Sequence, residues 1–368
     1  MHARSAGDTT LPIRVIYTGG TVGMLPGSDG LAPGGHFAAR LQRALATLPA
    51  EKHRALPGWE VHSYSRLIDS SAVTPLDWQV LADDIRAHQA AYAGVVVVHG
   101  TDTLSWTAAS LAFQLRRPGF PVIVTGAMQP LETPGSDALD NLYGALRFAA
   151  KPALDGVAVY FAGRLLHGAR ATKQHASAAD AFASPNAPAL GEYRDTPRLF
   201  SHALPPATAA ADTAYNATPA DYQRVNQDYQ RVNQGEVVRI ALWPGMAAWQ
   251  LSAWLEDSRV KGALLELWGA GNIADDPALL EVIRRSSARG TLMAAVSQCP
   301  QGSVAMGAYA AGSGLYRADV LSGGDMTPEA AYGKLVHLLA LGLGDDARRR
   351  AFLTPCIGER RDGKPSAH

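Results

Sequence analysis

Short apolar, β-branched runs alternate along the chain with longer amphipathic stretches. Residues 14–17, 94–98, 121–124 and 156–161 are dense in Val, Ile, Tyr and Phe and are bounded by Gly, Pro or Thr, which predicts buried strands. Between them, 75–92, 104–116 and 136–149 carry helical spacing, and the last two begin just after Thr or Ser residues suited to capping. Strands alternating with helices predict a mostly parallel sheet covered on both faces. From about 204 to 234 the apolar periodicity fails in a stretch rich in Ala, Pro, Thr and polar residues, which is expected to be an interdomain linker. It holds the heptad DYQRVNQ twice in tandem, at 221–227 and 228–234; two polar copies cannot build a repeat architecture, so this is a local duplication. The α/β pattern then resumes, with strands expected at 237–242, 263–267 and 291–296 and a helix over 276–289 with Pro277 just inside its start. The expected fold class is therefore α/β with two domains, each a mostly parallel sheet covered by helices. The larger N-terminal domain spans 1–203, the linker 204–235 and the smaller C-terminal domain 236–368.

Composition narrows the partners. A chain of 368 residues, 47% hydrophobic, is long enough for two or three packed cores, which argues against disorder and fibrous repeats. Its 33 basic residues balance 33 acidic ones, a formal net charge of +0 that offers no basic field for phosphates. A small-molecule ligand is expected, and no nucleic acid. Cys299 and Cys356 supply neither a disulfide framework nor a zinc set, which fits a reducing compartment and a cytoplasmic location. The first fifteen residues lack a signal-peptide core, and no segment approaches the roughly 18 apolar residues that span a bilayer, so neither secretion nor a membrane is expected.

Ligands of parallel α/β sheets bind beyond the carboxyl ends of strands, so the residues that follow each strand carry the chemical information. After 14–17 comes Thr18-Gly19-Gly20-Thr21, where paired glycines admit a close backbone approach and expose a hydroxyl. After 94–98 comes His99-Gly100-Thr101-Asp102-Thr103, a hydroxyl beside a carboxylate at the same sheet edge. A threonine hydroxyl is a weak nucleophile until a base takes its proton. One of the chain's six lysines, Lys173, lies in Gly168-Ala169-Arg170-Ala171-Thr172-Lys173-Gln174-His175, read as following the strand 156–161 and so reaching the same edge. An ammonium withdrawn from water gives up its proton more readily and serves as a base. Taken singly, the glycine pair reads as a tight turn, the threonines as helix caps, and the lysine says less still. Their coincidence at three strand ends is what points to chemistry.

Together these residues are recognisable. Thr18-Gly19-Gly20-Thr21 and His99-Gly100-Thr101-Asp102-Thr103-Leu104 resemble the two signature motifs of the bacterial L-asparaginase family. The stretches Ile68-Asp69-Ser70-Ser71, PVIVTGAMQPL at 121–131, ATKQHA at 171–176, DAFASPN at 180–186, Trp268-Gly269-Ala270-Gly271-Asn272, SQCPQG at 297–302 and SGGDMTPEA at 322–330 resemble its type I, cytosolic branch. The likeness runs from Arg14 to about Gly344, the linker excepted. The resemblance implies hydrolysis of L-asparagine to L-aspartate and ammonia without metal or cofactor, by a homodimer or homotetramer. It implies that Thr21 is the nucleophile that forms an acyl-enzyme ester. Lys173 is then the base, Thr101 positions or activates the attacking group, and Asp102 binds the substrate's α-amino group. Asp69, Ser70 and Ser71 hold the α-carboxylate and amino group, backbone N–H groups near Thr101 stabilise the oxyanion, and Asn272 serves a neighbouring subunit's site. A glutaminase-asparaginase, a tRNA-dependent amidase and a non-catalytic amino-acid binder are the rival readings; the balanced charge argues against the tRNA version.

The sequence also departs from the family pattern. The mobile loop after the first motif usually carries a tyrosine in a Gly-Tyr-x-Pro setting, whereas here it reads Gly30-Leu31-Ala32-Pro33, with no tyrosine between Val22 and His62. Leucine cannot relay a proton, so the usual activator of Thr21 is missing. Counterparts of the branch's allosteric asparagine site would be Thr172, Ser297 and Cys299, but Glu266 stands where an arginine is expected and its charge opposes an effector carboxylate. Asp137 and Asp140 are expected in a helix's N-terminal turn and not in a calcium site. His167 and His175 lack compact zinc spacing and are expected at the surface or behind the site.

Overall fold

The computed structural model describes residues 11–28, 30–201, 232, 235–306 and 310–361. Of the expected linker only Val232 and Gly235 are among them; the tandem heptads otherwise lie outside the described residues. The strands in chain order are β1 (Ile13–Tyr17), the hairpin pair β2 (Met24–Gly27) and β3 (Gly30–Pro33), β4 (Trp59–Ser63), β5 (Gly94–Val98), β6 (Pro121–Thr125), β7 (Gly156–Phe161), β8 (Arg164–His167), β9 (Thr172–Lys173), β10 (Phe182–Ala183), β11 (Gly191–Tyr193) and β12 (Pro197–Leu199). They are followed by β13 (Val237–Ala241), β14 (Gly262–Leu267), β15 (Leu292–Ser297) and β16 (Leu321–Ser322).

The large sheet has the order β12-β11-β8-β7-β6-β5-β1-β4. From β4 to β7 every pairing is parallel, and β8, β11 and β12 then add antiparallel. Every residue of β1, β5, β6 and β7 is buried, the condition under which unbroken Val and Ile runs are stable. Alternation sorts those side chains between two faces. Val95, Val97, Val122 and Val124 pack with Leu104, Ala108 and Leu111 of the helix Leu104–Leu115. Val96, Val98 and Ile123 pack on the other face with Leu142, Tyr143 and Leu146 of the helix Ala138–Ala149.

The second sheet, β13-β14-β15-β16, is parallel throughout. The helix Pro328–Ala340 lies between the two sheets: its Ala331, Leu335 and Leu338 share one cluster with Leu264 and Leu292 of the second sheet and with Leu111 and Phe113 of the helix Leu104–Leu115. Tyr332 meets Trp106 edge to face at 5.6 Å, and His337 stacks on Phe113 at 6.4 Å. Burial, assisted by the charges of Arg116, Arg86 and Lys334, pushes the His337 imidazole down to about 3, so it is neutral in the core.

The same helix anchors the segment that follows it. Lys334 and Glu359 are wholly buried, with Nζ donating to Glu359 Oε1 at 2.5 Å and to the carbonyls of Phe352 and Thr354. Burial alone would raise the Glu359 carboxyl, but the Lys334 ammonium and the N–H groups of Ile357 and Cys356 outweigh it and hold it below the usual carboxylate range. A carboxyl depressed in the folded state contributes stability at neutral pH that is lost as pH falls through that depressed value. Removing one partner leaves a buried unpaired charge, so Lys334→Met is expected to lower unfolding free energy by about 3–5 kcal/mol. Urea unfolding at neutral pH measures it, and an unchanged free energy would show that the pair contributes nothing.

Candidate active site

Three turns at the carboxyl edge of the large sheet are stacked backbone on backbone. Thr18, at the tip of β1, donates from its hydroxyl to Val98 O at 2.9 Å, while Ile68 N donates to Thr18 O at 2.6 Å. Gly19 and Gly20 have φ of 128° and 89°, a region open chiefly to glycine. A methyl on Gly19 would lie 2.7 Å from Ile68 O, one on Gly20 2.5 Å from Gly100 N, and one on Gly100 2.5 Å from Ser70 Oγ. The glycines therefore let segments 18–21, 68–71 and 99–103 touch. Beneath them, buried His99 donates from Nδ1 to Gly100 O at 2.8 Å. Burial lowers its affinity for a second proton, so Nε2 is an acceptor, here for the Thr107 hydroxyl at 3.1 Å. Thr107 in turn accepts from the Trp78 indole at 2.9 Å.

On this platform Lys173 Nζ donates to Thr101 Oγ1 at 2.9 Å and to Asp102 Oδ1 at 2.7 Å. Thr101 is buried, the Lys173 side chain keeps 17% of its surface in solvent and Asp102 keeps 66%. The trio thus has a buried hydroxyl, a lysine at the boundary and a carboxylate in solvent. Lys173 does not reach this edge straight from β7. After β7 the chain turns back as β8, antiparallel, and only the small β9–β10 ladder, with Lys173 opposite Phe182, returns the lysine to the edge.

Thr21 is half-buried and opens the one-turn helix Thr21–Gly23. The buried Arg40 holds that turn by donating to Gly23 O at 2.7 Å while its other guanidinium edge grips Glu132. Leu31 sits on β3 opposite Pro26, with 51% of its surface exposed. Among the described residues no phenol, amine or imidazole hydrogen-bonds the Thr21 hydroxyl. The exposed Asp69 caps the turn Ser70–Ala72 by accepting from Ser71 N at 2.9 Å, and the exposed Ser71 and buried Ser70 line the same rim.

Several expectations change in three dimensions. Thr103 does not cap its helix: its hydroxyl donates to Ser70 O at 2.6 Å, tying the Asp69–Ser71 turn to the Thr101 turn. Asp137 stands at the N-cap of the helix Ala138–Ala149, but its side chain makes no capping bond there and accepts from Met128 N and Gln129 N, fastening that loop. His167 is no surface residue; it is buried, donates to Ile357 O at 2.7 Å and is pushed down to about 4, chiefly by burial. His175 is exposed. Thr172 donates to Glu329 at 2.6 Å, Ser297 to Gly269 O at 2.7 Å, and Glu266 pairs with Arg239, so each is already engaged within the chain. Asn272 lies in a tight turn bridged to Trp268 beyond β14, and among the described residues no hydrogen bond joins it to the Lys173 trio. Nor do the described residues bring three or more His, Cys, Asp or Glu side chains together around a metal position. No helix among them is long and apolar enough to cross a membrane.

Comparison with known proteins places the chain among relatives. The family described as "Asparaginase, N-terminal" matches residues 12–204, and "Glutaminase/Asparaginase C-terminal domain" matches 236–352. The chain is 38% identical to L-asparaginase 1 of Escherichia coli strain K12 over 347 residues, covering 94% of this chain and 97% of that protein. It is 33% identical over 273 residues to the L-asparaginase of Thermococcus kodakarensis, covering 74% of this chain and 77% of that protein. The crystal structure of L-asparaginase I from Vibrio cholerae superposes with a TM-score of 0.78 at 33% identity, covering 96% of this chain and 100% of that one.

Proposed function

The chain belongs to the asparaginase family, and from that premise we propose that it hydrolyses the side-chain amide of L-asparagine to L-aspartate and ammonia. The observation that carries this reading is the placement of Lys173 Nζ between the Thr101 hydroxyl and the Asp102 carboxylate, beside the glycine turn that presents Thr21. The exposed Asp102 and Asp69 offer negative charge to the substrate's α-ammonium, and Ser70 and Ser71 offer donors to its α-carboxylate. Thr21 Oγ attacks the amide carbon. The C–N bond breaks, ammonia takes the proton and leaves, and a water then cleaves the ester to give aspartate and restore Thr21. Lys173, once neutral, accepts the proton of the attacking group through Thr101, and backbone N–H groups of the 99–103 turn face the developing oxyanion. With no tyrosine at position 31, the proton of Thr21 leaves by way of water or the Thr101–Lys173 pair. The reading includes a cytoplasmic homodimer or homotetramer in which Asn272 lies against a neighbouring subunit's site.

Ammonia release from L-asparagine and L-glutamine at neutral pH tests it, with Leu31→Tyr run in parallel. Asparagine turnover by the unmodified protein is expected. Preference for glutamine would move the assignment to the broader glutaminase-asparaginase. Binding by calorimetry without turnover in either protein would overturn the enzyme assignment in favour of a binder.

A further inference from the structure

We propose that Glu329, from the C-terminal half of the chain, is a positioning residue for the Lys173–Thr101 pair and acts through Thr172 and Ser105. The proposal rests on the amidohydrolase reading above. Glu329 lies in the first turn of the helix Pro328–Ala340, the helix shared by both sheets, and is buried. Its Oε1 accepts from the Thr172 hydroxyl at 2.6 Å and from the Ser105 hydroxyl at 3.2 Å. Thr172 is the other residue of the two-residue strand β9, so its side chain leaves the strand on the face opposite Lys173. Ser105 follows Thr101 by four residues, in the first turn of the helix that the Thr101 turn leads into. One carboxyl oxygen thus ties together the two segments that carry the lysine and the threonine.

The setting is a poor one for a merely structural acid. Oε2 is buried with no hydrogen-bond partner, and among the described residues no Lys, Arg or His pairs with the carboxyl. Burial raises its affinity for a proton, against the opposing pull of Thr172, its own backbone N–H, Ser105 and Thr327. A leucine would fill the space without a buried, unpartnered Oε2, though it would leave the Ser105 and Thr172 hydroxyls without their acceptor. What leucine cannot do is accept two hydroxyl protons at one point and so fix β9 relative to the 101–105 turn. A lysine on a two-residue strand has few other constraints, and small displacements of a catalytic group are expensive in rate.

The test compares Glu329→Leu and Glu329→Gln in the full-length protein, by steady-state ammonia release and thermal unfolding. Glu329→Leu is expected to lower kcat by about 10- to 100-fold with KM changed less than about threefold, because the substrate-facing groups are untouched. Glu329→Gln, whose carbonyl oxygen accepts the same two bonds, is expected to keep kcat within about threefold. A folded Glu329→Leu with parental kcat, or a Glu329→Gln as impaired as the leucine variant, overturns the proposal. If Glu329→Leu does not fold, Thr172→Val decides: a fall in kcat at unchanged melting temperature supports the role, and unchanged kcat overturns it. If the parent itself does not turn over asparagine, the functional reading fails separately. The positioning role is then read from the Lys173 side-chain NMR signal, assigned by its loss in Lys173→Met. A shift in Glu329→Leu but not in Glu329→Gln supports the role, and no shift in either overturns it.

Discussion

Thr21→Ala is expected to fold, to bind asparagine and to release ammonia on the order of 10⁴-fold more slowly than the parent, about 5.5 kcal/mol of transition-state stabilisation. Binding is expected to survive because the groups proposed to hold the amino acid's ends, Asp69, Ser70 and Ser71 on one turn and Asp102 on another, do not depend on Thr21 for their positions. The 68–71 turn is held by Thr103 Oγ1 on Ser70 O and by the Ile68 N bond to Thr18, and Asp102 is held by Lys173. The turn that carries Thr21 is fixed through backbone atoms, Gly20 against Gly100 and Gly23 O under Arg40, so removing the side chain leaves the scaffold in place. Rates within tenfold of the parent would show that another group attacks the amide, and Thr101 is the hydroxyl next in line.

Lys173→Met is expected to cost about 10²- to 10⁴-fold in kcat, the range of general acid–base catalysis. Methionine matches the length of the aliphatic stem but takes no proton and leaves Asp102 without its ion-pair partner. Two-thirds of the Asp102 side chain faces solvent, so its loss of a partner costs little stability. The defect should therefore lie in rate and not in folding, which circular dichroism and kcat together separate. The proposed mechanism puts the two groups on one proton transfer, so the Thr21→Ala Lys173→Met double variant should be little slower than Thr21→Ala alone. Multiplicative losses would place the two in separate steps.

The residues of the site were legible in the chain before their meeting was. Val-rich runs ending in Gly-Gly-Thr and in Gly-Thr-Asp-Thr identify strands and the turns beyond them, because a buried parallel strand needs apolar side chains on both faces and a close backbone contact needs glycine. Lys173 was legible as a candidate but its route was not. The run Arg164–His167 is too short and too mixed to show that it turns back antiparallel. Thr103 reads as a cap from local chemistry, yet its hydroxyl donates to Ser70 O, and a hydrogen bond across 33 residues leaves no mark on local pattern. Glu329, after Thr327-Pro328, reads as an ordinary acidic first turn of a helix; nothing nearby announces that it is buried against Thr172, 157 residues earlier.

By itself, then, the sequence determined the main buried strands and helices, the α/β class and the inventory of candidate groups, all of which depend on periodicity and residue chemistry within a few positions. Only the tertiary structure decided which of those groups share a site. The Lys173–Thr101–Asp102 contacts, the stacking of Gly20 on Gly100 and the reach of Glu329 to Thr172 and Ser105 join residues 71 to 224 positions apart. Such contacts depend on how strands are ordered in a sheet and on which helix is shared between two sheets. Those are properties of the packed core as a whole, which no local stretch of the chain specifies.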